Sequence, residues 1–472
     1  MTAEGARVTD HSLTRPPLTR RQIVLLVAAL VTSVVAFQLN ASMLVPAIGS
    51  IESELGAGAY THMANYFFLA GAIVSVVCTR WSDFVGRKRV LIATMAVMCV
   101  GTVLCIVATS IPVVVVGRIL QGGCVIAFSL SYLILREHLS GPMFGACVGV
   151  VSSINGGVAG VDALLGGVMA DQLGFRSIFV LILGVGVAAI ALACKAIPGD
   201  DTTATATGHM DWWGAALLAL AVSGINLFLT SGGTGGWLSP AALAWIGVTV
   251  ASLIALVIVD GRVASPLIAV SHMRSRQVWP VITSITLALA AFYVVLNFIV
   301  PSIAQNTSVG FAMTATMTAL VFLTPAALIG LGAAPLAGRL AVRISFAATL
   351  RLGVLTTLVV TAVAALFGLN LIVLFVLMVI FGAVYNGLLL TSASGMGVVQ
   401  APDEAPGSLP GISNACFGVG ASIGFAWAGP IVGPGTAEGY RSALWICVAI
   451  GAVALVSSMV LKAKPVDRAA AD

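Results

Sequence analysis

The chain has 472 residues, of which 59% are hydrophobic and 8% charged, with a formal net charge of +5. Soluble domains carry about 25% charged residues, so a water-facing surface of ordinary extent is excluded and lipid is the matching solvent. The positive balance does not indicate nucleic acid, because no basic stretch is interleaved with aromatic residues.

Apolar runs long enough to cross a bilayer, about 20 residues each, fall near 22–48, 60–80, 89–109, 111–134, 143–168, 176–197, 212–231, 241–260, 279–302, 313–335, 347–367, 369–394, 410–432 and 441–461. Backbone amides in hydrocarbon must be bonded within their own segment, so these fourteen runs are expected to be helices; strands would be shorter and alternating. The 51 glycines fit close helix packing in a membrane. The first run is too long for a signal-peptide core and reads as a retained helix. With both chain ends on the cytoplasmic side, inner segments collect 19 of the 22 Lys and Arg residues, only Arg176 and Arg441 face outward, and Arg118 lies within the fourth span. That asymmetry is the one expected of bacterial inner-membrane proteins; the inner loop 397–409, with Asp403 and Glu404 and no base, departs from it. The expected organisation is a cytoplasmic segment 1–21, six helices in 22–197, a linker with two inserted spans in 198–278, six helices in 279–461 and a tail 462–472. The eight cysteines form no CxxC pair and the five histidines are scattered, so neither a metal site nor a cofactor is expected, and packing accounts for the thiols. An integral-membrane enzyme would need His, Asp or Glu clustered near one face, which the chain lacks.

Several motifs sit at corresponding places along these spans. After the second span the chain reads Thr79-Arg80-Trp81-Ser82-Asp83-Phe84-Val85-Gly86-Arg87-Lys88-Arg89. Gly86 suits a tight turn, and Asp83 could lock against a base or a helix N-terminus, although the bases alone could serve as topology anchors. Gly338-Arg339-Leu340-Ala341-Val342-Arg343 after the tenth span is a weaker copy without the acid. The fourth span carries Arg118-Ile119-Leu120-Gln121-Gly122, and the fifth Gly160-Val161-Asp162-Ala163-Leu164-Leu165-Gly166-Gly167. Together these resemble the signature patterns of the major facilitator superfamily, and their order with two extra spans resembles its fourteen-helix drug:proton antiporters. The expected Gly-Pro of the exporter motif is Asp162-Ala163 here, and the acid such antiporters often carry in the first span is absent, with Phe37, Gln38 and Asn40 in its neighbourhood. The resemblance implies an all-helical fold of two six-helix halves, a monomer, and secondary transport of a small molecule by alternating access. Proton-coupled efflux of hydrophobic compounds is the leading expectation; uptake or exchange of a polar metabolite is the alternative that the altered exporter motif supports.

Arg118 and Asp162 each lie seven residues from the outer end of antiparallel neighbours, about 10 Å deep at 1.5 Å per residue. They are expected to meet, with Asp162 as the proton-binding carboxylate and Arg118 tuning it; a static packing pair is the other reading. The expected gating loop is Asp83, Gly86, Arg87 and Lys88. Polar residues spread over both halves, Gln38, Asn40, Asn65, Tyr66, Gln121, Asn155, Tyr293, Asn297, Asn386 and Asn414, with Tyr385 and Trp427, are expected around a central cavity, where a site between repeats draws on both.

Overall fold

The computed structural model describes residues 18–139, 141–199, 209–263, 275, 277–399 and 408–461, and among them there are helices and no strands. In chain order the long helices are α1 (Arg20–Ser42), α2 (Ala59–Val85), α3 (Arg87–Val107), α4 (Ile111–His138), α5 (Gly141–Gly157), α6 (Ala159–Leu173), α7 (Arg176–Ala196), α8 (Trp212–Gly235), α9 (Pro240–Asp260), α10 (Trp279–Gln305), α11 (Ala315–Ile344), α12 (Phe346–Phe367), α13 (Leu371–Met396), α14 (Ser408–Val432) and α15 (Ala437–Val460). Among the described residues, thirteen helices are each long and apolar enough to cross a membrane. The fourteenth span expected from the sequence is divided: α5 and α6 have 17 and 15 residues, separated at Val158. The most polar part of the linker, residues 200–208, and the acidic loop 400–407 lie outside the described residues.

Local chemistry explains the helix starts. Thr19 and Gln22 form a reciprocal capping box at α1, satisfying amides that have no partner in the first turn. Asp211 accepts from the Gly214 amide at α8, and Ser239 from Ala242 at α9, where Pro240 occupies the first turn. Proline is tolerated there because its missing N–H would be unpaired anyway.

Apolar side chains cover the outside as lipid requires: α9 leaves Leu243, Val250, Leu253, Ile254, Val257 and Ile258 exposed. That helix packs mainly on α8, and α8 in turn lies against α2 and α14. The inserted pair therefore sits at the rim and touches helices from both ends of the chain. Asn65 and Asn226 join α2 to α8 through two amide hydrogen bonds, 3.1 and 2.7 Å.

Three stretches widen to π-helix, Val295–Ile299 in α10, Ala319–Leu323 in α11 and Gly382–Leu390 in α13. All lie in the last six spans, and all border the same central space. Where α11 meets α13, a Cβ on Gly382 would collide with the Ala326 carbonyl, so only glycine permits this approach.

Candidate functional site

A cavity of about 90 Å³ lies between the first and last six spans. From α1 it is lined by Phe37, Gln38, Ala41 and Ser42, and from α6 by Ala163. Opposite stand Tyr293, Leu296 and Asn297 of α10, Leu323 and Ala327 of α11, Tyr385, Asn386 and Leu390 of α13, and Phe417 of α14. Six of these, Leu296, Asn297, Leu323, Tyr385, Asn386 and Leu390, belong to the π-helical stretches. A π-turn offsets side chains from the regular helical rows, and such turns are frequent at functional sites.

The wall sets aromatic rings beside polar groups. Tyr385 Oη is buried and has no hydrogen-bond partner among the described residues. Asn386 lines the cavity beside it, in the same π-helical stretch. Tyr293 packs edge-on to Phe417, ring centres 5.3 Å apart. Behind Ala163 is Asp162, 2% exposed; its Oδ2 accepts from Ser42 Oγ at 2.5 Å, while its Oδ1 is buried without a partner. An unpaired buried carboxylate oxygen costs more than the roughly 1–3 kcal/mol of a neutral group, which favours a protonated carboxyl or a ligand at Asp162.

Arg118 and Asp162 do not form the pair expected from their depth. Arg118 Nη1 donates to Gln121 Oε1 at 2.8 Å and to Asn40 Oδ1 at 3.3 Å, Nη2 to the Asn40 carbonyl at 3.1 Å, and Nε to the Met63 carbonyl at 3.2 Å. Its guanidinium also lies 4.2 Å from the centre of the Phe67 ring, a favourable seat for a cation. Equal depth does not ensure equal facing. Arg118 turns toward α1 and α2, and Asp162 toward Ser42 two residues further along α1.

Of the residues expected in the cavity, Gln38, Tyr293, Asn297 and Asn386 line it, with Tyr385. Asn40 and Gln121 are spent on Arg118, Gln121 also donating to Thr102 at 2.9 Å. Asn65 faces α8, Tyr66 stacks on His62 with ring centres 6.2 Å apart, and Trp427 Nε1 donates to the Ala290 carbonyl at 3.1 Å. The side chains of Asn155 and Asn414 lie outside the described residues. Ser42 was missed by the sequence reading; the signal available was its place four residues after Gln38, one helical turn on.

The expected gating loop is mostly helix. α2 runs through Val85, so Asp83 sits in its last turn, and the turn itself is Gly86, with φ 109°. Asp83 pairs with Arg80 at 3.2 Å and Arg87 at 3.5 Å, and Arg87 reaches Glu137 at the end of α4, 2.8 Å. Lys88 donates to the carbonyls of Ile197 (2.6 Å) and Cys194 (3.0 Å) beyond and within α7. Glu137 completes a cluster that tied four elements' ends together without being predicted.

The opposite face is closed across the two bundles. Gln305 accepts from the Gly49 amide and donates to the Pro46 carbonyl, both at 2.8 Å. Asp171, near the end of α6, accepts from the amides of Ala315 and Thr316 at the start of α11, 3.1 and 2.8 Å, and from the Thr316 hydroxyl at 2.6 Å. A carboxylate there also meets the positive end of the helix dipole. Tyr60 donates to the Asn297 carbonyl at 2.8 Å just above the cavity. Ligand pockets commonly span about 300–1,000 Å³, so the cavity is contracted beneath this seal.

Two helical bundles closed at one face over a small mixed cavity define a membrane transporter. A family model described as the Major Facilitator Superfamily matches residues 30–425, and the chain belongs to that superfamily. It is 34% identical over 415 residues to a uridine/deoxyuridine transporter of Lactococcus lactis subsp. cremoris (strain MG1363), covering 85% of this chain and 86% of that one. It is 27% identical over 267 residues to the probable multidrug resistance protein EmrY of Escherichia coli (strain K12), covering 55% of this chain and 51% of that protein. Among solved structures, a POT family transporter in complex with 5-aminolevulinic acid superposes with a TM-score of 0.66 at 13% identity, over 94% of this chain and 97% of that one.

Proposed function

We propose that the protein carries a nucleoside-class solute, with pyrimidine nucleosides such as uridine foremost, across a bacterial cell membrane by alternating access coupled to protons. The observation that carries this is the cavity wall, which sets the rings of Phe37, Tyr293 and Phe417 beside the amides of Gln38, Asn297 and Asn386 and the Tyr385 hydroxyl. A pyrimidine base presents a flat ring and an edge of alternating donors and acceptors, and a carboxamide matches that edge with two hydrogen bonds. A transporter of hydrophobic drugs has little use for a wall of three carboxamides and an unpaired Tyr385 hydroxyl, whose desolvation a greasy ligand leaves uncompensated. The similarity to the lactococcal uridine/deoxyuridine transporter, over most of both chains, supports the same reading.

In this account residues 22–197 and 279–461 rock against each other, and 198–278 rides at the rim. Asp162 holds the proton, and Arg118 fixes α1, α2 and α4 as one body. The Asp83, Gly86, Arg87 and Lys88 cluster belongs to the gate at the face of the chain ends, which is the cytoplasmic one, and the protein works as a monomer. The partial similarity to a multidrug resistance protein supports a second reading, efflux of hydrophobic compounds.

Purified protein in liposomes separates the two. The expected result is counterflow of labelled uridine, accumulation driven by a pH gradient, and an Asp162→Asn variant that retains counterflow but loses gradient-driven accumulation. Absence of uridine counterflow together with proton-driven movement of a hydrophobic dye would replace the nucleoside reading with the efflux one.

A further inference from the structure

Ser42 stands between the cavity and Asp162. Its Oγ lies 2.5 Å from Asp162 Oδ2 and 2.8 Å from the Gln38 carbonyl oxygen, and it accepts from Gln38 Nε2 at 3.0 Å. A hydroxyl has one proton to donate and two lone pairs, so Ser42 serves either the carboxyl or the carbonyl, never both. Gln38 and Ser42 both line the cavity, and Asp162 lies behind them.

The choice follows the charge on Asp162. When the carboxylate is ionised, the charge-assisted bond takes the Ser42 proton. The chain then runs one way, from Gln38 N–H to Ser42 O–H to carboxylate, and each bond polarises the next. Gln38 Nε2 is pinned to the wall. When Asp162 takes up a proton on Oδ2, its new O–H donates to Ser42 Oγ, and Ser42 turns its own proton to the Gln38 carbonyl. One proton is gained in total, and Ser42 and Gln38 lose none. The hold on Nε2 slackens, and the amide can turn to present its N–H and C=O together to the cavity.

The geometry points to Ser42 as the positioning residue that links protonation of Asp162 to release of the Gln38 amide, which then reads the adjacent N–H and C=O of a cyclic imide such as a uracil base. The choice of imide rests on the nucleoside reading above; the linkage itself does not. The helices around Asp162 supply no second acid among the described residues. α1 brings Asn40 and Ser42, and α5 brings Cys147 as its titratable side chain. α7 has Arg176 at its start and Cys194 and Lys195 in its last turn, and α11 has Arg339 and Arg343 only near its end. The titratable groups facing this region are the phenols of Tyr293 and Tyr385 across the cavity and Arg118, already bonded to Asn40, Gln121 and Met63.

Uridine binding to the purified full chain, measured at acid and at mildly alkaline pH, tests the linkage. Wild type is expected to bind about fivefold tighter at acid pH, the worth of about one hydrogen bond. Ser42→Ala, which never pins the amide, should bind equally at both, and Ser42→Thr, which keeps the hydroxyl, should retain the difference. A residue with only a packing role would weaken binding at both pH values and leave the ratio intact in Ser42→Ala; that outcome overturns the proposal. A second readout needs no uridine. Infrared difference spectra of a pH titration should show a carboxyl band that is missing in Asp162→Asn. A side-chain amide shift, missing in Gln38→Leu, should accompany it in wild type and vanish in Ser42→Ala. If wild type binds no uridine at any pH, the nucleoside reading falls and the infrared experiment decides the linkage alone. A carboxyl band that titrates with no amide shift, or no titrating band at all, overturns it.

Discussion

Single residues carry the sharpest departures from ordinary chemistry. Ser345, between α11 and α12, has φ 122° and ψ 152°, a region open essentially to glycine. It stands seven residues after Gly338, the same spacing that separates Gly86 from Thr79. The two turns thus follow similar stretches at the same spacing, and only the first of them has glycine. Replacing Ser345 by glycine should remove strain of about 1–3 kcal/mol. It also loses the Ser345 hydroxyl that accepts from the Ala348 amide at 3.1 Å, though a Ser-to-Gly change at an N-cap costs only a few tenths of a kcal/mol. Ser345→Gly is therefore expected to raise the thermal midpoint in detergent. An unchanged or lower midpoint would show that the turn is not strained.

At the scale of elements, the face opposite the chain ends is held by few groups, and Asp171 has the most bonds among them. It adds to the local cap of α11, where Thr314 accepts from the Met317 amide, by taking the Ala315 and Thr316 amides from across the bundles. Asp171→Asn keeps the shape but replaces one acceptor oxygen with a donor and removes the charge at the start of α11. The expected outcome is a shift toward the conformation open at this face. A cysteine placed in the cavity, for example at Ala41, should then react several-fold faster with a membrane-impermeant reagent applied from that side, a shift of about 1 kcal/mol corresponding to about fivefold. Unaltered labelling would mean that the Gln305 contacts hold the face without Asp171. The three π-helical stretches belong at this scale too. Nothing in the apolar runs of α10, α11 and α13 marked them, since a π-turn arises where packing against neighbours makes an extra residue fit, and the neighbours are distant in sequence.

For the whole molecule, the inserted pair α8 and α9 poses a question of stability and not of chemistry. Besides its packing on α2 and α14, it is tied to α2 by the Asn65–Asn226 amide pair, away from the cavity. Removing one partner leaves a buried amide unpaired, at a cost of about 1–3 kcal/mol; removing both leaves neither. Asn226→Leu alone should lower the thermal midpoint, and Asn65→Leu with Asn226→Leu should recover much of the loss. Interhelical pairs in membranes average only about 0.6 kcal/mol. Transport by the double variant should stay near wild type. A double variant as unstable as the sum of the singles would show that the amides act separately.

Composition and run length alone determined that the chain threads a bilayer as helices, because a chain with 8% charge has no other solvent to face. The superfamily and the tie between Asp83 and Arg87 were also legible, since residues four apart on either side of a single glycine turn stay close whatever surrounds them. Gln38, Tyr293, Asn297 and Asn386 were recognisable as membrane-embedded polar groups that must have a reason to be there. What the tertiary structure decided was facing. Two residues at equal depth on neighbouring helices, Arg118 and Asp162, turn to different partners, because a side chain's direction follows helix rotation and bulges set by contacts far along the chain. The same rotation brought Ser42 to Asp162, 120 residues away, and no local pattern in either segment encodes that meeting.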